Sequence, residues 1–431
     1  MKNTFCNSPW LHLRINYNGD YKPCRWFPVR SSLTHNIKDI GILEYWNTDE
    51  MRELRSTLVK GQSNNNCEKC YYQDQNNTLS GRHRQLIKSA IDPYNFDNTF
   101  ANSPHYKHFL ESYVNEGHTT KLPTDLQIEV GSTCNSACLM CWPRASSRLA
   151  QDYRKLNNID NNLFAYPDYP PDWTKDKSVF DNFLDQLVEL DIKYIHLLGG
   201  ETLYIDKFYD IANAVASPNI ILGTTTNGTI YNSQIEELIP KFEEFHLGIS
   251  VEAFTSINDY VRYPSQWQSI QNNILKYKKL QDTQAGLQIS LRITPSLLTI
   301  ADLHTVFAFC IEHDIIAESC HILTDPKFLR MEYLPKYLRE CAIDNLKGLV
   351  SDTHVLDNTV NIRDKKQSFA VTQTSIRGYI EFLNNIREPT DVESTIQTGV
   401  RYLKAFESLR NNSLHDCNPE LADWLGRYGY N

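Results

Sequence analysis

The sequence predicts an α/β protein: a partial, TIM-like (β/α)6 barrel over residues 125–326, with a small hairpin-rich cysteine module before it and a helical region after it. Three observations predict this. Apolar runs alternate with amphipathic helical stretches through the middle of the chain, four early cysteines stand apart from that alternation, and beyond about residue 327 only helical periodicity remains. Repeated βα units imply a parallel sheet with right-handed crossovers, and six units fall short of the eight that close a barrel. A chain of 431 residues has room for two or three such units.

Composition narrows the function classes. With 43 Lys and Arg against 52 Asp and Glu, the formal charge is -9, which argues against general coating of nucleic acid. No apolar run reaches 18 residues, and the opening MKNTFCNSPW lacks an apolar signal-peptide core. A cytoplasmic protein with no membrane contact is expected. Eleven cysteines, an odd number, suit metal or iron–sulfur binding better than a disulfide framework.

In chain order, LHLRINYNG and YKPCRWFPV read as two extended pieces joined at Asn18-Gly19-Asp20, a hairpin signal. A helix is predicted from Thr48 to Lys60, capped by Asn47 or Thr48 and closed by Gly61. These belong to a module over 1–85. Residues 76–123 are polar, rich in Asn, Ser and His, and read as a surface linker, assigned to 86–124; the basic GRHRQ at 81–85 reads as a solvated loop. Core strands are predicted at 126–130, 194–198, 220–225, 245–251, 287–293 and 317–323, with helices at 179–190 and 267–280 among those between them. Residues 327–431 are predicted to be helical.

Cys134, Cys138 and Cys141 follow the first core strand with C-x3-C-x2-C spacing. Three thiolates on one short loop can hold three irons of a four-iron cube, leaving the fourth iron open to another molecule. Cys6, Cys24, Cys67 and Cys70 form C-x12-G-x4-C followed by C-x2-C, a set that can close a complete [4Fe–4S] site or a zinc site; spacing does not separate the two. Cys310, Cys320 and Cys341 read as isolated residues, and Cys417 beside His415 as a weak ligand candidate.

CNSACLMC, followed at the next strand end by Gly199-Gly200-Glu201, resembles the radical S-adenosylmethionine (SAM) enzymes, whose motif is CxxxCxxC. The resemblance implies that the glycine pair and Glu201 receive the amino group of the cofactor. It also implies that Ser250 and Arg262 bind the cofactor carboxylate, and that Asn227 lines the site. Glu252 stands where the family more often has Asp, with a ribose or substrate contact implied. Met140 takes the place of an aromatic residue beside the adenine. Arg292 and Thr294 are expected to point inward. The early cysteines resemble the SPASM and twitch auxiliary-cluster modules, placed here before the radical domain instead of after it, and the missing x5-C-x3-C favours the smaller twitch type.

The resemblance implies two [4Fe–4S] clusters and S-adenosylmethionine as cofactors, and an electron donor such as flavodoxin or ferredoxin. It also implies hydrogen abstraction from a peptide or protein substrate. The alternatives are a small-molecule dehydrogenase or cofactor-biosynthesis enzyme and, from another class, a non-catalytic zinc-stabilised binding protein.

Overall fold

Alternation along the strands decides the architecture. In this computed structural model, residues 4–28, 35–75, 80–166, 171–319, 322–350 and 365–430 are described. Strands β1 (His12–Ile15), β2 (Tyr21–Lys22), β3 (Asp125–Glu129), β4 (Tyr194–Leu198), β5 (Ile221–Thr226), β6 (Glu244–Ser250), β7 (Leu287–Ile293) and β8 (Ile316–Ser319) form one sheet in the order β2-β1-β3-β4-β5-β6-β7-β8. The strands from β3 to β8 are parallel and lie on the six predicted runs. Of the last run, Cys320 and His321 lie outside the described residues.

Register places Leu126 beside Ile195, Ile195 beside Leu222, Leu222 beside Phe245 and Phe245 beside Leu287. All five are buried. The intervening side chains Gln127, His196, Thr225, Ser250 and Arg292 face the other way and line a cavity. Parallel strands are usually apolar on both faces; here the inner face is polar, which marks it as a working surface.

The crossover helices bury their apolar stripe on the outer face. Lys177–Leu187 is capped by Asp176, whose Oδ1 accepts from the Ser178 and Val179 amides at 3.1 and 3.2 Å, and it buries Phe180, Phe183 and Leu187. Each such side chain contributes about 1.5–3 kcal/mol through burial. Trp267–Thr283 does the same with Ile270, Ile274 and Tyr277.

The predicted hairpin is present. Its turn is closed by Asn16 N–H to Asp20 O (3.0 Å) and Gly19 N–H to Asn16 O (2.8 Å). Gly19 has φ +92°, and a Cβ there would stand 2.8 Å from Asn36 Oδ1. The sequence did not reveal where the hairpin docks: β1 pairs in parallel with β3, from His12 beside Asp125 to Ile15 beside Ile128. The cysteine module therefore extends the core sheet. Its helix Asp49–Val59 is capped by Thr48, as predicted.

The surface linker expected at 86–124 is instead packed and helical. Helices Gly81–Lys88, Phe96–Phe100 and Tyr106–Val114 bring Phe96, Phe100 and Phe109 around Phe5, with ring centroids 5.0–5.7 Å from it. GRHRQ is likewise no solvated loop. Arg82 is buried, donating Nη1 to Phe5 O at 3.0 Å and gripping Asp74 Oδ2 through Nε and Nη2 at 2.8 and 2.6 Å.

Beyond β8 the described residues are mainly helical, as expected, with Lys336–Lys347, Lys365–Asn384, Val392–Arg410 and Pro419–Gly426 the main helices. Lys365–Asn384 covers the exposed edge of the sheet. Thr372 Oγ1 accepts from Ala317 N–H at 3.3 Å and Ser375 Oγ donates to Ala317 O at 3.2 Å, which blunts β8 against further pairing. No helix among the described residues is long and apolar enough to cross a membrane.

Candidate functional site

The ends of β3 and β4 approach closely enough that only glycine fits between them. A Cβ on Gly199 (φ +132°) would stand 2.4 Å from Gly131 O, and one on Gly200 would stand 2.0 Å from Thr133 O. Glu201 N–H then bonds Thr133 O at 2.8 Å. The loop carrying Cys134, Cys138 and Cys141 is pinned from several sides. Ala137 N–H donates to Tyr263 O (2.7 Å), Leu139 N–H to Val261 O (2.8 Å), and Cys134 N–H to Ser147 Oγ (3.1 Å). From the far end of the chain, Tyr402 Oη donates to Leu139 O at 2.9 Å and Arg410 Nη2 to Ala137 O at 2.7 Å.

The three thiols are free and lie close enough to oppose each other's ionisation. Burial first, then Cys138 and Cys134, push the Cys141 thiol up to about 12. Burial and Cys138 push Cys134 to about 12. Such a set gains by binding soft cations that displace the protons. Arg262 supplies a fixed positive charge, with Nη1 3.9 Å from Cys138 Sγ.

The structure distributes the other predicted residues between the cavity and its supports. Gly199, Gly200, Ser250, Arg292 and Thr294 line the cavity. Glu201 and Glu252 are fully buried behind it. Glu201 Oε1 accepts from Thr226 Oγ1 (2.6 Å) and Leu203 N–H (3.3 Å), and Oε2 from Asn227 N–H (2.6 Å), so this carboxylate ties the end of β4 to the end of β5. Burial raises its pKa. Glu252 takes Arg262 Nη2 at 2.6 Å on one oxygen and Thr294 N–H at 2.7 Å on the other. Arg262 is thereby committed to Glu252, and its pKa is raised by that partner. Asn227 donates to Asn135 Oδ1 (2.7 Å) and Ser136 Oγ (3.0 Å), bracing the cysteine loop. Met140 is half-buried against the core.

Cys6, Cys24, Cys67 and Cys70 all line the same cavity as Cys141, a space of about 550 Å³. Their thiols are also pushed up, Cys67 to about 12 and Cys70 to about 11, chiefly by burial and then by Cys6. Cys24 is raised by burial and by all three of the others. Arg82, on the helix Gly81–Lys88, is their cationic neighbour. Both sets fit thiolate-bound clusters in the chemistry of their donors, their burial and their neighbouring cations. No three His, Cys, Asp or Glu side chains among the described residues converge as they would on a single metal ion. Cys310 is buried in a helix, Cys341 is exposed, and Cys417 is half-buried.

Sequence reasoning missed the polar group inside the barrel. Tyr194 Oη lies 3.0 Å from His196 Nδ1, and His196 Nε2 lies 3.3 Å from Thr225 Oγ1. Burial, then the Arg292 charge, hold the imidazole neutral. Two glycines make the room: a Cβ at Gly223 would meet Tyr194 Oη at 2.7 Å, and one at Gly248 would meet Arg292 Nε at 2.2 Å. The period-2 alternation of YIHLL, with Tyr and His on one face, was the signal available.

The family model of the radical SAM superfamily matches residues 128–290, and that of an iron–sulfur cluster-binding domain, SPASM, matches residues 6–71. No curated protein matches. Among solved structures, Streptococcus suis SuiB bound to S-adenosylmethionine is 15% identical, with TM-score 0.36, over 73% of this chain and 67% of SuiB. Native anSMEcpe with bound AdoMet is 13% identical, with TM-score 0.35, over 70% of this chain and all of its own (100%). TYW1 with a lysine-pyruvate adduct is 16% identical, with TM-score 0.32, over 54% and 76%. The SPASM match spans Cys6, Cys24, Cys67 and Cys70 and shows an iron–sulfur cluster-binding domain there, where cysteine spacing alone left iron–sulfur and zinc open. Together with the radical SAM match it makes the chain an iron–sulfur-dependent enzyme, in place of the zinc-stabilised binding protein weighed above. The cofactors are a [4Fe–4S] cluster, an auxiliary cluster and S-adenosylmethionine.

Proposed function

We propose that this chain, a member of the radical SAM superfamily with an iron–sulfur cluster-binding module ahead of its core, oxidatively modifies a peptide or protein held between its two cluster sites. One observation carries the reading: Cys141 and all four module cysteines line a single cavity. A substrate in that space lies within reach of both.

S-adenosylmethionine, bound at the first cluster and cleaved by one electron, supplies a 5′-deoxyadenosyl radical that takes hydrogen from an unactivated C–H bond. The rest is the work of this chain's residues. Cys134, Cys138 and Cys141 are the cluster ligands, with no fourth cysteine on their loop. Gly199 and Gly200 leave backbone open to the cavity, where a ligand's ammonium group can meet it. Ser250 and Arg292 face the same space and suit a carboxylate. The buried Glu252–Arg262 pair holds positive charge beside Cys138. Cys6, Cys24, Cys67 and Cys70 complete a second site with no open position, suited to accept an electron from substrate. An acidic one-electron carrier such as flavodoxin or ferredoxin fits the need for a reductant.

Module residues, among them Trp26, Lys69 and Arg84, line part of the cavity wall, and the exposed Lys69 and Arg84 connect that wall to solvent. The cavity's volume also lies in the range of small-molecule sites, so a small-alcohol dehydrogenase is the second reading. Anaerobic turnover of the reconstituted enzyme with dithionite, S-adenosylmethionine and a pool of synthetic peptides separates the two. Loss of two hydrogens from a peptide, matched by 5′-deoxyadenosine, is the expected result. Oxidation of small alcohols with every peptide mass unchanged overturns the peptide reading. Continued cofactor cleavage after Cys134, Cys138 and Cys141 are replaced by Ala overturns the cluster assignment.

A further inference from the structure

The mouth of the cavity on the module side is cationic, in a chain whose formal charge is -9. Arg25, Lys69 and Arg84 line it and are exposed. Two of them flank Trp26, with Lys69 Nζ 4.6 Å and the Arg25 guanidinium 5.3 Å from its ring centroid. Gly81 makes this possible, since a Cβ there would fall 1.9 Å from Trp26 Nε1. The cavity's own carboxylates are engaged elsewhere. Glu129 takes Arg14 and the Tyr17 amide, and Asp125 lies 3.9 Å from Lys88. Lys69 and Arg84 face no carboxylate among the described residues. The module cysteines have a counter-charge of their own in the buried Arg82.

We infer that this lip, Trp26 with Arg25, Lys69 and Arg84, binds a carboxylate-bearing segment of the peptide substrate and feeds the adjoining residue into the cavity. The inference rests on the peptide reading above and adds the substrate's chemistry to it. An aromatic face flanked by cations suits an extended acidic peptide, whose side chains reach the cations while its backbone lies on the indole. A nucleic acid of similar length would need a longer basic track than three side chains provide.

Fluorescence anisotropy on the reconstituted, anaerobic enzyme tests this with three labelled probes: a decapeptide rich in Asp and Glu, its Asn and Gln counterpart, and a ten-nucleotide single-stranded DNA. The acidic peptide should bind about tenfold more tightly than its amide counterpart, the preference weakening with salt and disappearing in Lys69→Glu/Arg84→Glu. The milder Lys69→Gln/Arg84→Gln should fall between, with iron content and the reduced auxiliary-cluster resonance of both variants as in the parent. Equal binding of the two peptides, or a parent-like preference in the reversed variant, overturns the lip and leaves the peptide reading standing. Binding of neither peptide, or tighter binding of the DNA, overturns both. A changed cluster resonance with unchanged peptide binding would assign these cations to the cluster and overturn the inference.

Discussion

Arg410 donates through Nη2 to the carbonyl oxygen of Ala137, 2.7 Å away and 273 residues earlier in the chain. Ala137 stands between the first two cysteines of the radical-domain loop. The same guanidinium nitrogen reaches Asp152 Oδ2 at 2.9 Å, and the group lies over the rings of Phe406 and Tyr263 at 4.1 and 5.1 Å. A side chain only 2% exposed cannot exchange these partners for water. The helix Val392–Arg410 is therefore part of the mount that shapes the cysteine loop.

Removing that mount should loosen the loop. Arg410→Ala strands Asp152 without its cation and should cost about 3–5 kcal/mol, the range for breaking a buried pair. Arg410→Lys keeps the charge but not the planar fork, so it should retain most of the stability. If positioning is the role, Arg410→Lys should still load iron fully yet show an altered resonance of the first cluster and slower formation of 5′-deoxyadenosine. A spectrum and rate identical to the parent would make the contact purely structural.

Two arginines are candidates for the carboxylate of the cofactor, and their surroundings differ. Arg262, the residue that the family pattern indicates, is held by the fully buried Glu252. Arg292 lines the cavity with Ser250, beside Glu318 at 3.5 Å. Arg292→Ala should weaken S-adenosylmethionine binding by about 1.5–3 kcal/mol, as for a lost hydrogen bond to a charged group. Arg262→Ala should instead cost about 3–5 kcal/mol of stability by leaving Glu252 unpaired. Equilibrium binding and urea titrations on both variants decide the point. A weakened dissociation constant in Arg262→Ala alone would restore the motif's assignment.

How much of this was legible follows from the range of each interaction. The cysteine loop and the glycine pair carry their chemistry in contiguous residues, and the six core strands show themselves through alternation. β1 and β2 span four and two residues, too few for periodicity to say which sheet they join. In residues 86–124, abundant Asn and Ser outweighed three phenylalanines whose partner, Phe5, lies some ninety positions away. Arg410 and Tyr402 sit in an ordinary amphipathic helix, and nothing local marks their reach to Ala137 and Leu139. Glu201 and Glu252 were found because they lie in motifs, but their burial depends on how the strand ends pack.

The two cysteine sets should be separable in function although they share a cavity. Cys67→Ala/Cys70→Ala should lower iron by about half, from two four-iron clusters to one. The loop of Cys134, Cys138 and Cys141 is mounted on β3, β4 and the helix Val392–Arg410, none of which this change touches. Uncoupled formation of 5′-deoxyadenosine should therefore persist while the peptide product is lost. Iron analysis beside product chromatography checks both halves. Loss of cofactor cleavage in a variant with one intact cluster would show that the division of labour is wrong.

His108 should make the fold acid-sensitive. It is 3% exposed in the helix Tyr106–Val114, its Nε2 is paired with Thr119 Oγ1, and burial, then the charges of Lys121 and Arg55, hold its pKa down to about 3. In the unfolded chain the same imidazole titrates near 6.5. Below that value the unfolded state takes up a proton that the folded state refuses, so the stabilisation present above pH 6.5 is lost as pH falls toward 3. Between pH 6.5 and 5.5 one such group should cost about 1 kcal/mol. The lowered pKa values of His12 and His105 act in the same direction and enlarge the total. Urea titrations at the two pH values should show a drop in the parent that is smaller by about 1 kcal/mol in His108→Gln, where no titrating group remains at that position. An equal drop in both would mean that His108 accepts its proton without leaving the fold.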